Sequence, residues 1–231
     1  MTYTNISHIQ ETTSHKESVL KSLRSLMPNR PLTLTEAMER AELQANRLLA
    51  MHGIDSPGTP SELVTLLPHL RVEARYNLPV SGSAHWEAPS WVVRVNASDS
   101  TCRQRFSLMH EFKHVLDHPF QHEITSTERV SARLTHEVMR ERVADYFAAC
   151  VLMPKRFVKS VYCSGEQDIE ALAARFQVSP KAMSYRLSQL GLTVDTPRCT
   201  CGLMTGFRSS RIYFRSLASP PLLLAAPGGA S

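Results

Sequence analysis

What the chain lacks narrows it first. Nowhere in its 231 residues is there a run of the ~18–20 apolar residues that a membrane span requires. The opening segment, MTYTNISHIQETTSHK, has no apolar stretch of the kind a secretory leader carries. The expectation is a cytoplasmic protein with no membrane contact. Cysteine is scarce. Cys102, Cys150, Cys163, Cys199 and Cys201 are odd in number and irregularly spaced, which argues against a disulfide framework. Cys199 and Cys201 form the one close pair, and two thiols fall short of the four ligands of a structural zinc site. Acid is missing from residues 196–231, where Arg198, Arg208, Arg211 and Arg215 stand without a single Asp or Glu. Those four arginines carry most of the net charge of +5, so the basic balance belongs to a tail and not to a nucleic-acid-binding domain surface.

What is present suits one globular domain with tails. The chain is 42% hydrophobic and 20% charged, enough to bury a core. Residues 1–30 are polar and are expected to be a flexible lead-in, with a short helix over 16–26. The domain is expected over 31–195, and the Pro/Ser/Gly/Leu-rich, basic stretch 196–231 is expected to be disordered.

Within the domain, Thr33 and Glu36 have the spacing of a capping box, and the helix they open should stop at Gly53. A loop and a short helix over 61–67 follow. RVEARYNL, SGSAHW and SWVVRVNA, within 71–96, are short, rich in β-branched residues and punctuated by Gly, Pro and Asn; they predict a small three-stranded antiparallel sheet. Residues 119–135 lack an apolar period and predict an irregular loop, whereas 136–152 predict a long helix ended by Pro154. The stretch 169–192 predicts two helices joined by a tight turn, with Ser179 as N-cap, Pro180 in the first turn and Gly191 as the stop. The class is α+β.

The chemistry concentrates in 103–118, RQRFSLMHEFKHVLDH, which contains H-E-x-x-H at His110, Glu111 and His114. Phe106, Met109, Phe112, Val115 and Leu116 give this segment an apolar stripe, so it reads as a helix pinned in a core. Histidines four apart share one helical face and can grip one tetrahedral zinc ion, with the intervening Glu directed at the attacking water. Such a site needs a third protein ligand. His118, His122, Glu137 and Glu141 are the downstream candidates. The short-spacer H-E-x-x-H-x-x-G-x-x-H class does not apply, because Asp117 stands at its Gly and Phe120 at its third His. His118 is about 80° round the helix from His110 and poorly placed. Glu141 is better, since Asp145 lies one turn on and can orient a ligating imidazole. The bland alternative for Glu141 and Asp145 is an exposed carboxylate pair.

RFSLMHEFKHVLDH followed by ERVADYFAACVLMP resembles the ImmA/IrrE family of bacterial and phage zinc metallopeptidases. The matching positions are Arg105-Phe106, His110 to His114, Glu141, Ala144-Asp145, Phe147-Ala148 and Leu152-Met153-Pro154, and the likeness extends over roughly 33–192. It implies a zincin-like fold, zinc on His110, His114 and Glu141, and Glu111 as the catalytic carboxylate. Manganese or another divalent ion suits the same donors. It also implies a substrate: a helix-turn-helix transcriptional repressor, cleaved to release mobile-element or stress-response genes. A second oxyanion donor is expected among His118, His122 and Tyr146. One departure stands out: Lys113 occupies a position usually Gly in that family, and Met109 one usually small. The expectation there is a lysine facing solvent, or a looser helix crossing.

Two rival functions follow from the same residues. Helices over 169–192 could bind DNA directly, with Lys181, Ser184, Tyr185, Arg186 and Gln189 exposed on the second, although two cations are few for phosphate neutralisation. Alternatively, the protein could sequester a repressor without cutting it, but such a binder has no use for Glu111.

Overall fold

Thr33 and Glu36 do close a capping box. In the computed structural model, which describes residues 19–120 and 136–192, the Thr33 hydroxyl accepts from the Glu36 amide and the Glu36 carboxylate accepts from the Thr33 amide. They open helix α1 (Leu34–Met51), whose Ala37, Ala41, Ala45, Leu48 and Leu49 are buried. His52 caps its end, and Gly53 follows at φ 63°, a left-handed turn that glycine adopts without strain. A single turn, α2 (Glu62–Thr65), leads into the sheet.

The sheet has three strands, β1 (Leu70–Arg75), β2 (Gly82–Glu87) and β3 (Ser90–Asn96), but it is not wholly antiparallel as expected. The order is β1-β3-β2; β3 pairs antiparallel with β2 and parallel with β1. A two-residue turn makes a hairpin of β2 and β3. The longer connection after Arg75 lets β2 start one strand-width away, and β3 returns into the gap. β3 has the apolar side chains for that central place: Val92, Val93 and Val95 are buried.

Helix α3 (Thr101–Asp117), capped by the Ser100 hydroxyl, carries the H-E-x-x-H residues. One side packs on β2 and β3 and another on α4 (His136–Leu152), which in turn packs on α1. Met109, Phe112, Val115 and Leu116 are fully buried, as the apolar stripe required. Pro154 then starts α5 (Lys155–Cys163), a helix not anticipated from the sequence. The expected pair follows as α6 (Ile169–Phe176) and α7 (Pro180–Gln189), with the Ser179 hydroxyl accepting from Ala182 and Pro180 in the first turn.

Three expectations are corrected. The lead-in is not flexible from Val19 onward. Val19, Leu23 and Met27, four apart, are buried in the core, and Arg24 donates to the carbonyls of Leu116 (3.3 Å) and Val115 (2.9 Å) at the end of α3. Lys113 does not face solvent. It is 1% exposed, with Nζ 2.6 Å from Asp117 Oδ1 and 2.7 Å from Gln44 Oε1, so charge pairing and a hydrogen bond from α1 make its burial tolerable. The third is Arg186, expected to be exposed on α7. It is buried, donates to the Met153 carbonyl, and lies 3.4 Å from Cys150 Sγ. The tail 196–231, with the Cys199–Cys201 pair, and most of the loop 119–135 lie outside the described residues.

Candidate active site

The face of α3 away from its buried stripe points into a cleft between β2 and the first turns of α4. His110 and His114 project into it side by side, their Nε2 atoms 3.0 Å apart. Glu141 arrives from α4 and spans both: Oε2 lies 3.2 Å from His110 Nε2 and Oε1 3.3 Å from His114 Nε2. Among the described residues these three form the one group of His, Cys, Asp or Glu side chains close enough to share an ion. Tetrahedral ligands about 2.0–2.2 Å from zinc stand roughly 3.3–3.6 Å from each other, so a slight opening of this triangle admits such an ion. The donors fit it in kind as well, two imidazoles and a carboxylate.

Asp145, one turn beyond Glu141, lies 2.8 Å from His110 Nδ1. A carboxylate accepts only, so Nδ1 carries a proton and Nε2 is the nitrogen left facing the triangle. Burial works against charge on His110, yet the hydrogen bonds to Asp145 and Glu141 outweigh it and raise its pKa to about 10. The bonds from His110 and His114 hold the Glu141 carboxyl well below the usual carboxylate range, against its own burial. Both shifts come from positive charge on the imidazoles beside negative charge on the carboxylates.

Glu111 lies under the start of β2. A Cβ added to Gly82 would come within 2.9 Å of Glu111 Cγ and 3.1 Å of Oε1, so only glycine lets the strand and the carboxylate approach this closely. Burial pushes the Glu111 carboxyl above its ordinary value, the direction a proton acceptor working near neutrality needs.

The other expected residues divide. His118 lines the cleft, with its ring centroid 4.8 Å from that of Trp91. Tyr146 does not line it. Its hydroxyl donates to Glu42 Oε2 at 3.0 Å, and the Arg186 guanidinium lies over its ring, so it serves the contact of α4 with α1 and α7. His122 lies outside the described residues. Arg140 and Ser83 also line the cleft and were not singled out from the sequence. Arg140 carried a signal only in hindsight, by standing next to Glu141. Ser83 carried none, because which strand borders the cleft is decided by the sheet order.

The description "IrrE N-terminal-like domain" fits residues 69–188 of the chain, a span that includes the sheet, α3 and α4. No curated protein matches. Among solved structures, a Mycobacterium tuberculosis transcriptional regulator superposes with a TM-score of 0.54 at 21% identity, over 78% of this chain and 53% of that one. The chain thus spans about half the length of that neighbour, and at this identity the likeness speaks for the fold. No helix among the described residues is long and apolar enough to cross a membrane. With more than half of its length matched, and with the H-E-x-x-H helix inside the match, the chain belongs to the ImmA/IrrE family, whose type is a regulator-related metallopeptidase.

Proposed function

We propose that this protein is a zinc-dependent endopeptidase that cuts a helix-turn-helix transcriptional repressor, with His110, His114 and Glu141 holding the metal and Glu111 as the catalytic carboxylate. The observation that carries the reading is the triangle of two Nε2 atoms and the Glu141 carboxylate, 3.0–3.3 Å on a side, with the half-buried carboxylate of Glu111 beside it. Substrate class comes from the family and from the shape of the site. β2 is an edge strand whose outer side borders the cleft, so an extended segment of a partner protein can pair along it.

A divalent ion held by these donors supplies Lewis-acid polarisation of water and of the scissile carbonyl. The chain's own residues do the rest. Glu111 takes the proton of the attacking water and returns it to the leaving amine. Gly82 lets Glu111 stand under the substrate strand. Asp145 fixes the tautomer and ring plane of His110. His118, which lines the same cleft and packs against Trp91, is the residue we assign as donor to the developing oxyanion.

Two consequences are measurable at once. Asp145→Asn should weaken metal binding roughly 10–100-fold while the fold is kept, measured by competition with a chromogenic chelator. Unchanged affinity would mean that His110 needs no orienting partner. Gly82→Ala should cut the hydrolysis rate on the order of tenfold to a hundredfold with metal content intact, because the new methyl displaces the carboxylate. A wild-type rate would show that Glu111 has room to shift without loss.

Direct DNA binding through α6 and α7 is disfavoured by the burial of Arg186, which leaves Lys181 as the exposed cation of α7. The decisive experiment compares new protein N-termini in the native host after DNA damage, for wild type and Glu111→Gln. The expected result is one new terminus inside a helix-turn-helix repressor, absent in the variant. No such terminus, in cells where the protein is folded and metal-loaded, would overturn the repressor-cleavage reading.

A further inference from the structure

Among the described residues, the cleft holds one arginine or lysine, and the mechanism does not use it. Arg140 lines it from α4, on the wall opposite Gly82, Ser83 and Ala84, with Glu137 and Glu141 on the same helix. Its Nε is buried and has no hydrogen-bond partner among the described residues. No carboxylate among the described residues forms an ion pair with it: Glu141 is turned to the two histidines, and Asp145 to His110. A buried N–H without a protein acceptor is costly, and such a group is satisfied by an ordered water, an ion or a bound ligand.

We infer that Arg140 is a specificity residue, and that it takes the carboxylate of an acidic side chain close to the bond that is cut. The inference rests on the peptidase reading and deepens it. The planar guanidinium presents parallel N–H donors that match a carboxylate, which neither a backbone carbonyl nor an amide side chain can engage as a pair. The surroundings sharpen the choice. With Glu111 and Glu137 lining the same cleft, and the histidines and Glu141 assigned to the metal, Arg140 is the cation among the described lining residues left to take an acidic substrate residue, so this position sets the register of the strand beside β2.

The test uses the full chain loaded with zinc and peptide libraries that differ only in carrying Glu, Gln or Lys at one fixed position. Wild type is expected to cleave the best Glu library roughly tenfold to a hundredfold faster in kcat/KM than its Gln counterpart. Arg140→Gln should bring that ratio to about one by raising KM for the Glu peptides, and Arg140→Glu should turn the preference to Lys. A ratio near one in wild type would overturn the assignment. So would a ratio that survives Arg140→Gln while kcat falls equally for both libraries, since that marks a donor to the oxyanion or a structural part. If zinc-loaded wild type cleaves no library, the peptidase reading fails separately. Retention of the same libraries on Glu111→Gln then decides about the arginine alone: Arg140-dependent enrichment of Glu peptides supports it, and equal retention sinks it.

Discussion

Glu111→Gln is expected to lower peptide hydrolysis by ~10²–10⁴-fold while the protein still binds one metal ion per chain. The amide keeps the shape of the carboxylate, so packing under Gly82 is preserved, but it cannot accept the proton of water. Burial, which raises the affinity of Glu111 for protons in the wild type, then has nothing to act on. Because His110, His114 and Glu141 are untouched, metal content measured by mass spectrometry should match wild type. The pairing of the two readouts matters. Loss of rate together with loss of metal would move Glu111 from proton acceptor to a support of the ligand set. Full activity in the variant would remove it from the mechanism.

The largest effect on stability is expected at the buried pair on the core side of α3. Asp117→Ala strips Lys113 of its carboxylate and leaves an ammonium 1% exposed against Gln44 and the Phe147 ring, at a cost of about 3–5 kcal/mol. Lys113→Met should cost less, because Asp117 also stands in the field of Arg24. The double variant Lys113→Met/Asp117→Leu should recover most of the loss, since apolar side chains of similar size need no compensation for leaving water. Urea unfolding of the four proteins gives the cycle. Additive losses would show that the 2.6 Å contact carries no coupling and that the two side chains act only by filling space.

These cases mark where sequence reasoning reaches and where it stops. The capping box at Thr33 and Glu36, the stop at Gly53, the cap at Ser179 and the apolar stripe of α3 are local: partners sit three or four residues apart, and the chain states them directly. The strands themselves were legible for the same reason, and so was the placing of Glu141 and Asp145 one turn apart. Their order was not. Whether β3 enters between β1 and β2 depends on the length of the connection after Arg75 and on which strand has most to bury. Charged residues misled most. Lys113 and Arg186 look like solvent-facing cations, and their acceptors, Gln44 69 positions away and the Met153 carbonyl 33 away, exist only in the folded chain. Tyr146, an expected oxyanion candidate, is likewise drawn to Glu42 across 104 residues of sequence.

The anchoring of α3 from upstream has a practical side. The family match begins at residue 69, and a fragment cut there would retain every expected ligand, the whole sheet, α3 and α4. It would also discard Gln44, which steadies the ammonium on the helix flank, and Arg24, which closes its last carbonyls. Such a fragment would keep the donors and lose the scaffolding that holds them in register. Anyone expressing this domain should therefore set its boundary before Val19 and not at the edge of the recognisable motif.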